Sequence, residues 1–266
     1  MDDVAVLEIG GEALVLTCDM MVEGVHFLTQ ADPADVAWKL VAVNLSDLAA
    51  KGAEPLGVLL GYTLGDDDAR FAEGLEEVLD HYGVPLLGGD TTSGGPPRGF
   101  ALTAIGRATH RPVPSRAGAQ PGDALYVTGP LGAAMIGFEE IKQGGDGGAY
   151  ARPMARLAEG EALAPYVSAI MDISDGLLLD AARMARASGV TLSIDGGTVP
   201  IAAPEERRQE ALRWGEDYEL LFAIPADIVP PVTAYRVGSV EPASGAPILL
   251  DGKKLTEADG LGYEHG

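Results

Sequence analysis

The spacing of apolar residues divides the chain into short strands and amphipathic helices. Two apolar runs in residues 4–18 flank a Gly-Gly pair, which predicts a β-hairpin. Residues 33–53 have helical spacing, and Asp32 followed by Pro33 is a typical cap and first turn. DDDARFAEGLEEVLDHYG predicts a second helix that ends at Gly83. Further strands are predicted for GVLLGYTL, for VPLLGGD, which runs into a Gly-Gly-Asp turn, and for GFALTAIGRA.

A segment without periodicity, residues 107–122, contains three prolines and four basic residues and is the best candidate boundary. We therefore predict an N-terminal α/β domain over 1–112 and a C-terminal α+β domain over 113–266. The second half again alternates strands and helices. Its predicted elements are strand DALYVTG, helix PLGAAMIGFEEIKQ, loop GGDGGAYARPM, helix RLAEGEALAPY, the strand-to-helix run AIMDISDGLLLDAARMARASG, strand TLSID, a helix in PIAAPEERRQEALRWG, strands EDYELLFAI and YRVGSVE, and a terminal hairpin.

Composition narrows the class of protein. The 266 residues are 47% hydrophobic and 22% charged, which excludes a disordered tail protein. A single cysteine, Cys18, excludes an intrachain disulfide and a cysteine-rich metal site. The N-terminus does not read as a secretory signal, and no apolar run approaches the roughly 18 residues of a membrane helix. A cytosolic protein is the simplest prediction.

The charge balance is strongly acidic, with 40 Asp and Glu against 18 Lys and Arg and a net charge of −22. Nucleic acid and anionic membranes are poor partners for such a chain, because phosphate binding needs Lys and Arg. Solubility accounts for most of these acids. The alternative for a few of them is a carboxylate cluster that holds divalent cations.

Acidic residues stand where predicted strands end or turns begin. Each has an ordinary interpretation, as a solvent-facing side chain, a turn residue or a helix cap. Together they favour a metal site, because grouped carboxylates repel each other unless a cation neutralises them. A set with neither Cys nor clustered His suits Mg²⁺, which completes its shell with waters and substrate phosphates. The residues are Asp2 with Asp3, Asp19, Asp47, Asp90, and Asp172 with Asp175.

Glycine-rich junctions agree with nucleotide chemistry. Gly88-Gly89 precede Asp90, and Gly129 and Gly132 flank a strand–helix junction, where backbone N–H groups can approach phosphate. Such junctions are also common in ordinary α/β turns. Neither G-x-x-x-x-G-K-[ST] nor G-x-G-x-x-G occurs, so a P-loop ATPase and a Rossmann dehydrogenase are not supported.

In sequence, the chain resembles the thiamine-monophosphate kinases, in the superfamily of aminoimidazole ribonucleotide synthetase-like ATP enzymes. NLSDLAA and GGDT look shared with the superfamily, whereas EGVHF and GEDYELLF are similar to the kinase branch. The matching stretches are DDVAVL, TCDMMVEGVHF, WKLVAVNLSDLAAKGAEP, LLGGDTT, PSRAGAQPGDALYVTGPLG, ARP, AIMDISDGLLLD and WGEDYELLF.

The resemblance implies a two-domain fold whose N-terminal sheet pairs with its copy in a homodimer. It also implies ATP as co-substrate, thiamine monophosphate as acceptor and several Mg²⁺ ions. The implied metal positions are Asp2, Thr17, Cys18, Asp19, Asp47, Asp90, Asp172 and Asp175. The implied ATP contacts are Gly89, Asp90, Arg116 and Ser174, and the implied acceptor contacts are His26, Glu216 and Tyr263.

The sequence leaves several points open. Asp217 and Glu219 stand so close to Glu216 that each is an alternative acceptor contact. Cys18 stands where the family commonly has Thr, and a backbone carbonyl is the better Mg²⁺ ligand there. The family usually has Gly and a further segment before its first Asp pair, where this chain has Met1.

The resemblance implies direct in-line phosphoryl transfer without a general base, because the acceptor is already an ionised phosphate. Arg116 would add a planar cationic clamp. Two alternatives are a sister enzyme of the superfamily and a non-catalytic cation-binding protein. A selenide-phosphorylating sister would want a Cys and a Lys near the N-terminus, yet no Lys precedes Lys39.

Overall fold

The structure, a computed structural model, describes residues 4–263, so the predicted ligand Asp2 lies outside the described residues. The first half forms a five-stranded sheet with two helices. Its strand order is β1-β2-β5-β3-β4, and β3 and β4 are parallel. The elements are β1 (Ala5–Ile9), β2 (Glu12–Val22), α1 (Pro33–Ala49), β3 (Ala53–Leu64), α2 (Asp68–Tyr82), β4 (Leu86–Ser93) and β5 (Gly99–Ala108).

Local sequence signals explain the start of this half. The β1–β2 hairpin turns through Gly10 and Gly11, both with positive φ, which suits a two-residue loop between twisted strands. The Asp32 side chain caps α1 by accepting the Ala34 N–H at 2.9 Å. Helix α2 ends at Gly83 in the left-handed conformation, as predicted.

The second half forms a seven-stranded sheet of order β12-β11-β8-β10-β6-β9-β7, with α6 packed against it. Its strands are β6 (Ala124–Val127), β7 (Ala169–Asp172), β8 (Val190–Ile194), β9 (Leu220–Ile224), β10 (Tyr235–Pro242), β11 (Ile248–Leu250) and β12 (Lys253–Leu255). Its helices are α3 (Ala133–Lys142), α4 (Gly148–Ala151), α5 (Leu157–Leu163), α6 (Leu177–Ser188) and α7 (Arg208–Ala211).

Helix α1 belongs to the first half but is buried along nearly its whole length, because it also packs against the second half. Ala49 and Ala50 join an apolar cluster with residues of β7, β9 and α5. A Cβ on Gly160 would lie 1.9 Å from the Ala49 carbonyl oxygen, so α5 approaches α1 as closely as only glycine permits. The Trp38 indole N–H donates to the Pro153 carbonyl at 2.9 Å.

The two-sheet α/β architecture confirms the predicted fold class, and most predicted elements are present. Three details of the prediction were wrong. The strand predicted to turn at Gly88–Asp90 continues to Ser93, because it pairs with β3 throughout. A one-turn helix, α4, lies inside the predicted 144–154 loop. The helix predicted near 205–215 is only a 3₁₀ turn, Glu205–Arg207, followed by α7.

The sheets are formed within residues 5–108 and 124–255. The domain boundary between 112 and 113 stays a prediction. Within residues 4–263, none of the helices combines the length and the apolar character that crossing a bilayer requires.

Candidate active site

A cavity of about 750 Å³ lies between the two sheets and is lined by residues of both halves. Its size falls within the usual range for small-molecule sites. Most of the residues singled out in the sequence meet here. Those that line it are Asp19, His26, Asp47, Arg116, Asp172, Ser174, Asp175, Glu216 and Tyr263.

The polar turn Asn44–Asp47 of α1 connects both sheets at one end of the cavity. The Asn44 amide oxygen accepts the Asp19 backbone N–H of β2 at 3.0 Å. The Ser46 hydroxyl donates to Asp172 Oδ2 of β7 at 2.7 Å. Thr17 donates its hydroxyl hydrogen bond to the Asp47 carboxylate, so Thr17 supports the cavity from beside it. We call this region, with Asp19, Asp47, Asp172 and Asp175, the acidic end.

The carboxylates of the acidic end repel one another, so a positive charge bound there would be favoured. Burial raises the pKa of Asp47 well above its usual value, and the charges of Asp172 and Asp19 raise it further. The pKa of Asp172 is raised by burial, as is that of Asp19, to which Asp175 adds repulsion. Buried Lys51 partly offsets this repulsion at Asp47 and Asp172.

These carboxylates are neighbours around the cavity rather than a preformed ligand cage. Among residues 4–263, no three His, Cys, Asp or Glu side chains are close enough together to hold one metal ion. Their oxygen donors nevertheless suit Mg²⁺, which keeps several waters and completes its shell with phosphate oxygens. A cation bound here would therefore share its coordination with a second molecule.

The turn between β7 and α6 is held by Asp180, which the sequence analysis missed. Its Oδ2 accepts the backbone N–H groups of Ser174 at 3.1 Å and Asp175 at 2.9 Å. Arg183 donates to Asp175 at 2.5 Å and to Asp180 at 2.7 Å, and it also lines the cavity. Burial raises the pKa of Asp180 to about 7. The available signal was an acid within the apolar run LLLDAA.

His26 lies away from the acidic end, because its carbonyl oxygen accepts from Lys39, which precedes Asp47 by eight positions, about 12 Å along α1. Its Nδ1 accepts the Val22 backbone N–H at 3.0 Å, which places the proton of the neutral ring on Nε2. The Phe138 ring centroid is 5.4 Å from that of Trp214 and 5.0 Å from that of Tyr150. These three rings, which all line the cavity, form what we call the aromatic wall. Its members come from different elements, so no single motif revealed it.

The three acids of GEDYELLF, each an alternative acceptor contact by sequence, lie in three different environments. Glu216 lines the cavity. Asp217 accepts the Gly132 and Ala134 backbone N–H groups, at 2.7 and 3.1 Å, at the start of α3. Glu219 is buried, where it accepts from the Thr128 hydroxyl at 2.6 Å and pairs with Arg156. Of these three, only Glu216 lines the cavity, and its role as an acceptor contact stays a prediction.

Four of the predicted residues that the structure describes do not line the cavity, and Thr17, which donates to Asp47 from outside the lining, is one of them. Side chains alternate along β2, so Cys18 is directed to the sheet face opposite Thr17 and Asp19, where it is exposed. Gly89 and Asp90 lie on the edge strand β4, beyond β5 and β3. Asp90 is therefore three strand spacings, about 14 Å, from β2. The ligand roles of Thr17, Cys18, Gly89 and Asp90 stay predictions.

Comparison with known proteins identifies this architecture. The family models for the N-terminal and C-terminal domains of AIR synthase related proteins match residues 1–108 and 120–240. The thiamine-monophosphate kinase of Escherichia coli K12 is 37% identical over 84% of this chain and 75% of its own length. That of Salmonella typhimurium is 35% identical over 98% of this chain and 85% of its own length.

A solved structure agrees with the sequence matches. AaThiL complexed with AMPPCP and TMP superposes with a TM-score of 0.86 at 32% identity, covering 96% of this chain and 88% of that one. The chain belongs to the AIR synthase related family, in the branch of the thiamine-monophosphate kinases.

The division of roles within GEDYELLF leads to a stability prediction. Glu219→Gln should lower the free energy of unfolding by about 1.5–3 kcal/mol, because Arg156 keeps its charge and loses its carboxylate. Glu206→Gln, the same change at an exposed position, is the matched control and should change it by less than about 0.5 kcal/mol. Denaturant unfolding measures both variants, and equal stabilities would contradict the structural role of Glu219.

Proposed function

We propose that this chain transfers the γ-phosphoryl group of ATP to thiamine monophosphate and produces thiamine diphosphate. The observation that carries the proposal is the cavity itself, which has two chemically different parts. One is the acidic end, and the other, which we call the aromatic end, consists of His26 and the aromatic wall. The two ends suit two ligands, a polyphosphate held with cations and a planar cationic ring. Support also comes from the related structure that contains AMPPCP and TMP.

The chemistry needs positioning more than proton transfer. An oxygen of the acceptor phosphate attacks the γ-phosphorus while the bond to the β–γ bridging oxygen breaks, and ADP leaves. Because the acceptor oxygen is already ionised, no general base is required. Arg116 and Arg183 line the cavity and would pair with the phosphates of ATP, and Ser174, which lines the same cavity, would also contact ATP.

Mg²⁺ fits the acidic end, because burial and mutual repulsion raise the pKa of Asp19, Asp47 and Asp172 and a cation would relieve both. We propose these residues and Asp175 as protein ligands shared among several Mg²⁺ ions, because no three of them are close enough together to hold one ion. When bound, Mg²⁺ would neutralise the charge of the phosphate oxygens.

The aromatic end would hold the acceptor. The aromatic wall offers ring faces on which a cationic thiazolium can stack. His26 presents Nε2–H as a donor to phosphate, since its Nδ1 is engaged by Val22. Glu216 lies at this end, where it pairs with Lys39, whereas Tyr263 lines the cavity from beside Asp175 and would contact the acceptor from there. Tyr263 is held in place by its backbone N–H, which donates to the Asp175 carbonyl at 3.0 Å.

The N-terminal sheet offers a surface for a second copy of the chain. Strands β1 and β4 are exposed along their whole length, and Leu7, Leu86 and Leu87 are among their large apolar side chains. Exposed apolar strand edges require a cover. We therefore propose a homodimer through this sheet, in which Gly89 and Asp90 lie at the shared surface.

Because ATP is supplied in the cytoplasm, we also propose a cytoplasmic location.

A first prediction tests the reaction and the acidic end together. The wild type should form thiamine diphosphate from ATP and thiamine monophosphate in preference to other phosphate acceptors. Asp47→Asn should reduce turnover at least about a hundredfold while leaving the fold intact, because a buried charge that contacts the phosphates' cations is lost. Product formation at saturating Mg²⁺, with unfolding curves, measures this.

The matched control for that test is Asp66→Asn, an exposed position outside the cavity, which should leave turnover unchanged. Near-normal turnover by Asp47→Asn would count against the metal site. Cation binding without product formation by the wild type would favour a non-catalytic protein instead.

A second prediction concerns His26. His26→Ala should raise the KM for thiamine monophosphate about tenfold to a hundredfold, because a hydrogen bond to a charged group is lost. The KM for ATP should change little. Steady-state kinetics with each substrate varied, and the melting temperature, give the comparison, with His110→Ala as a control outside the cavity. If His26 only packs, stability falls and both KM values shift together or not at all.

A third prediction concerns the dimer. Light scattering at micromolar concentration should give twice the mass of the chain. Leu87→Glu, at a side chain 54% exposed on β4, should yield monomers because it places a charge in the proposed interface. Val229→Glu, at a side chain 86% exposed outside this sheet, should remain dimeric. A monomeric wild type would reject the interface.

A further inference from the structure

A buried lysine, Lys39, lies at the aromatic end of the cavity. It belongs to α1 and its side chain is only 3% exposed. Nζ lies 2.7 Å from Glu216 Oε1 and 3.7 Å from the centroid of the Tyr150 ring. It also donates to the His26 carbonyl oxygen at 3.2 Å. One ammonium group therefore contacts three cavity-lining residues that come from different parts of the chain.

Stability alone gives a weak reason for a charge at this position. Burial lowers the pKa of Lys39, while the charge and hydrogen bond of Glu216 raise it. Replacing a buried ion pair by apolar side chains of similar volume is often neutral or stabilising. Stability therefore does not require an ammonium group here, and the question becomes which groups the ammonium orients.

Glu216 is the residue most constrained by this contact. Its backbone has φ of +66°, a left-handed conformation that few residues other than glycine adopt. Its backbone N–H donates to the Ser174 carbonyl at 2.7 Å, on the side of the cavity assigned to ATP. The main chain of Glu216 is thus fixed by Ser174 on the side proposed for ATP. Its side chain is fixed by Lys39 at the aromatic end, which is proposed for thiamine monophosphate.

The same ammonium group connects Glu216 with the rest of the aromatic end. Tyr150, whose ring lies next to Lys39, also donates its hydroxyl to the His26 carbonyl, at 3.4 Å. Phe138 packs against Tyr150, with ring centroids 5.0 Å apart. Replacing Lys39 would therefore remove contacts with Glu216, with the His26 carbonyl and with Tyr150 of the aromatic wall. The acidic end lies further along α1 and makes none of these contacts.

We propose that Lys39 is a positioning residue, whose ammonium group orients the Glu216 carboxylate toward the acceptor. The ligand class is a phosphate ester that carries a planar cationic ring and a separate amino group, because a fixed carboxylate accepts hydrogen bonds and favours positive charge beside the aromatic wall. This inference rests on the proposed function and adds a residue that the sequence motifs did not single out.

The test is a double-mutant cycle in the full-length protein. The cycle compares wild type, Lys39→Met, Glu216→Gln and the double variant, with KM for thiamine monophosphate, KM for ATP and melting temperature measured for each. Lys142→Met is the matched control, because Lys142 also lies over an aromatic ring, 3.8 Å from the Phe138 centroid, but is exposed. It should behave as wild type.

Each single variant should raise the KM for thiamine monophosphate roughly tenfold to a hundredfold and leave the KM for ATP within about threefold. The double variant should be no worse than the more affected single variant, because Lys39 acts through Glu216. If Lys39→Met does not fold, Lys39→Gln, which removes the positive charge but keeps a polar side chain, replaces it, and the KM for thiamine monophosphate should again rise while that for ATP does not.

Three results would overturn the inference while the proposed function stands. They are an unchanged KM for the acceptor, additive effects in the double variant, and lower stability with both KM values shifted equally. Failure of the wild type to phosphorylate thiamine monophosphate would reject the proposed function and the inference together.

Discussion

The burial of ionisable groups on α1 is the constraint on which the rest of the site depends. Lys39, Val43 and Asp47 line the cavity at four-residue spacing, so they follow one face of the helix. The aspartate follows the lysine by eight positions, which is about 12 Å along the helix axis. Opposite charges are thus held apart inside the protein, where water screens them little. The cavity acquires two chemically different ends from a single rigid element.

The polar turn of α1 also determines how the halves of the molecule meet. Asn44 binds the backbone of β2 and Ser46 binds Asp172 of β7, so one helical turn fixes both sheets relative to the cavity. Apolar contacts of Ala49 and Ala50 extend this junction toward α5. Any sequence change that shifts α1 would therefore alter the carboxylate geometry and the packing between the sheets at once. This explains why polar and apolar residues alternate so closely in NLSDLAA.

Much of the fold and part of the site were predictable from the sequence, for identifiable physical reasons. Strands and long helices followed from periodicity, and Asp47 stood out as a charge in an apolar helix. Lys39 carried the same signal but was missed, because its partner Glu216 is remote in sequence. The aromatic wall was missed because its rings come from separate elements. Asp90 was predicted from its motif, yet strand order, which periodicity does not specify, separates it from β2.

The backbone hydrogen bond between Tyr263 and Asp175 has a consequence for how the protein is made. Gly262 approaches Asp175 so closely that a Cβ there would lie 2.3 Å from the Asp175 carbonyl oxygen. Within residues 4–263 these residues follow every strand of both sheets, so the ribosome adds this part of the cavity wall after both sheets. A nascent chain that stops before Gly262 already contains both sheets but lacks that wall. Folding of the scaffold can therefore precede assembly of a complete binding site during synthesis.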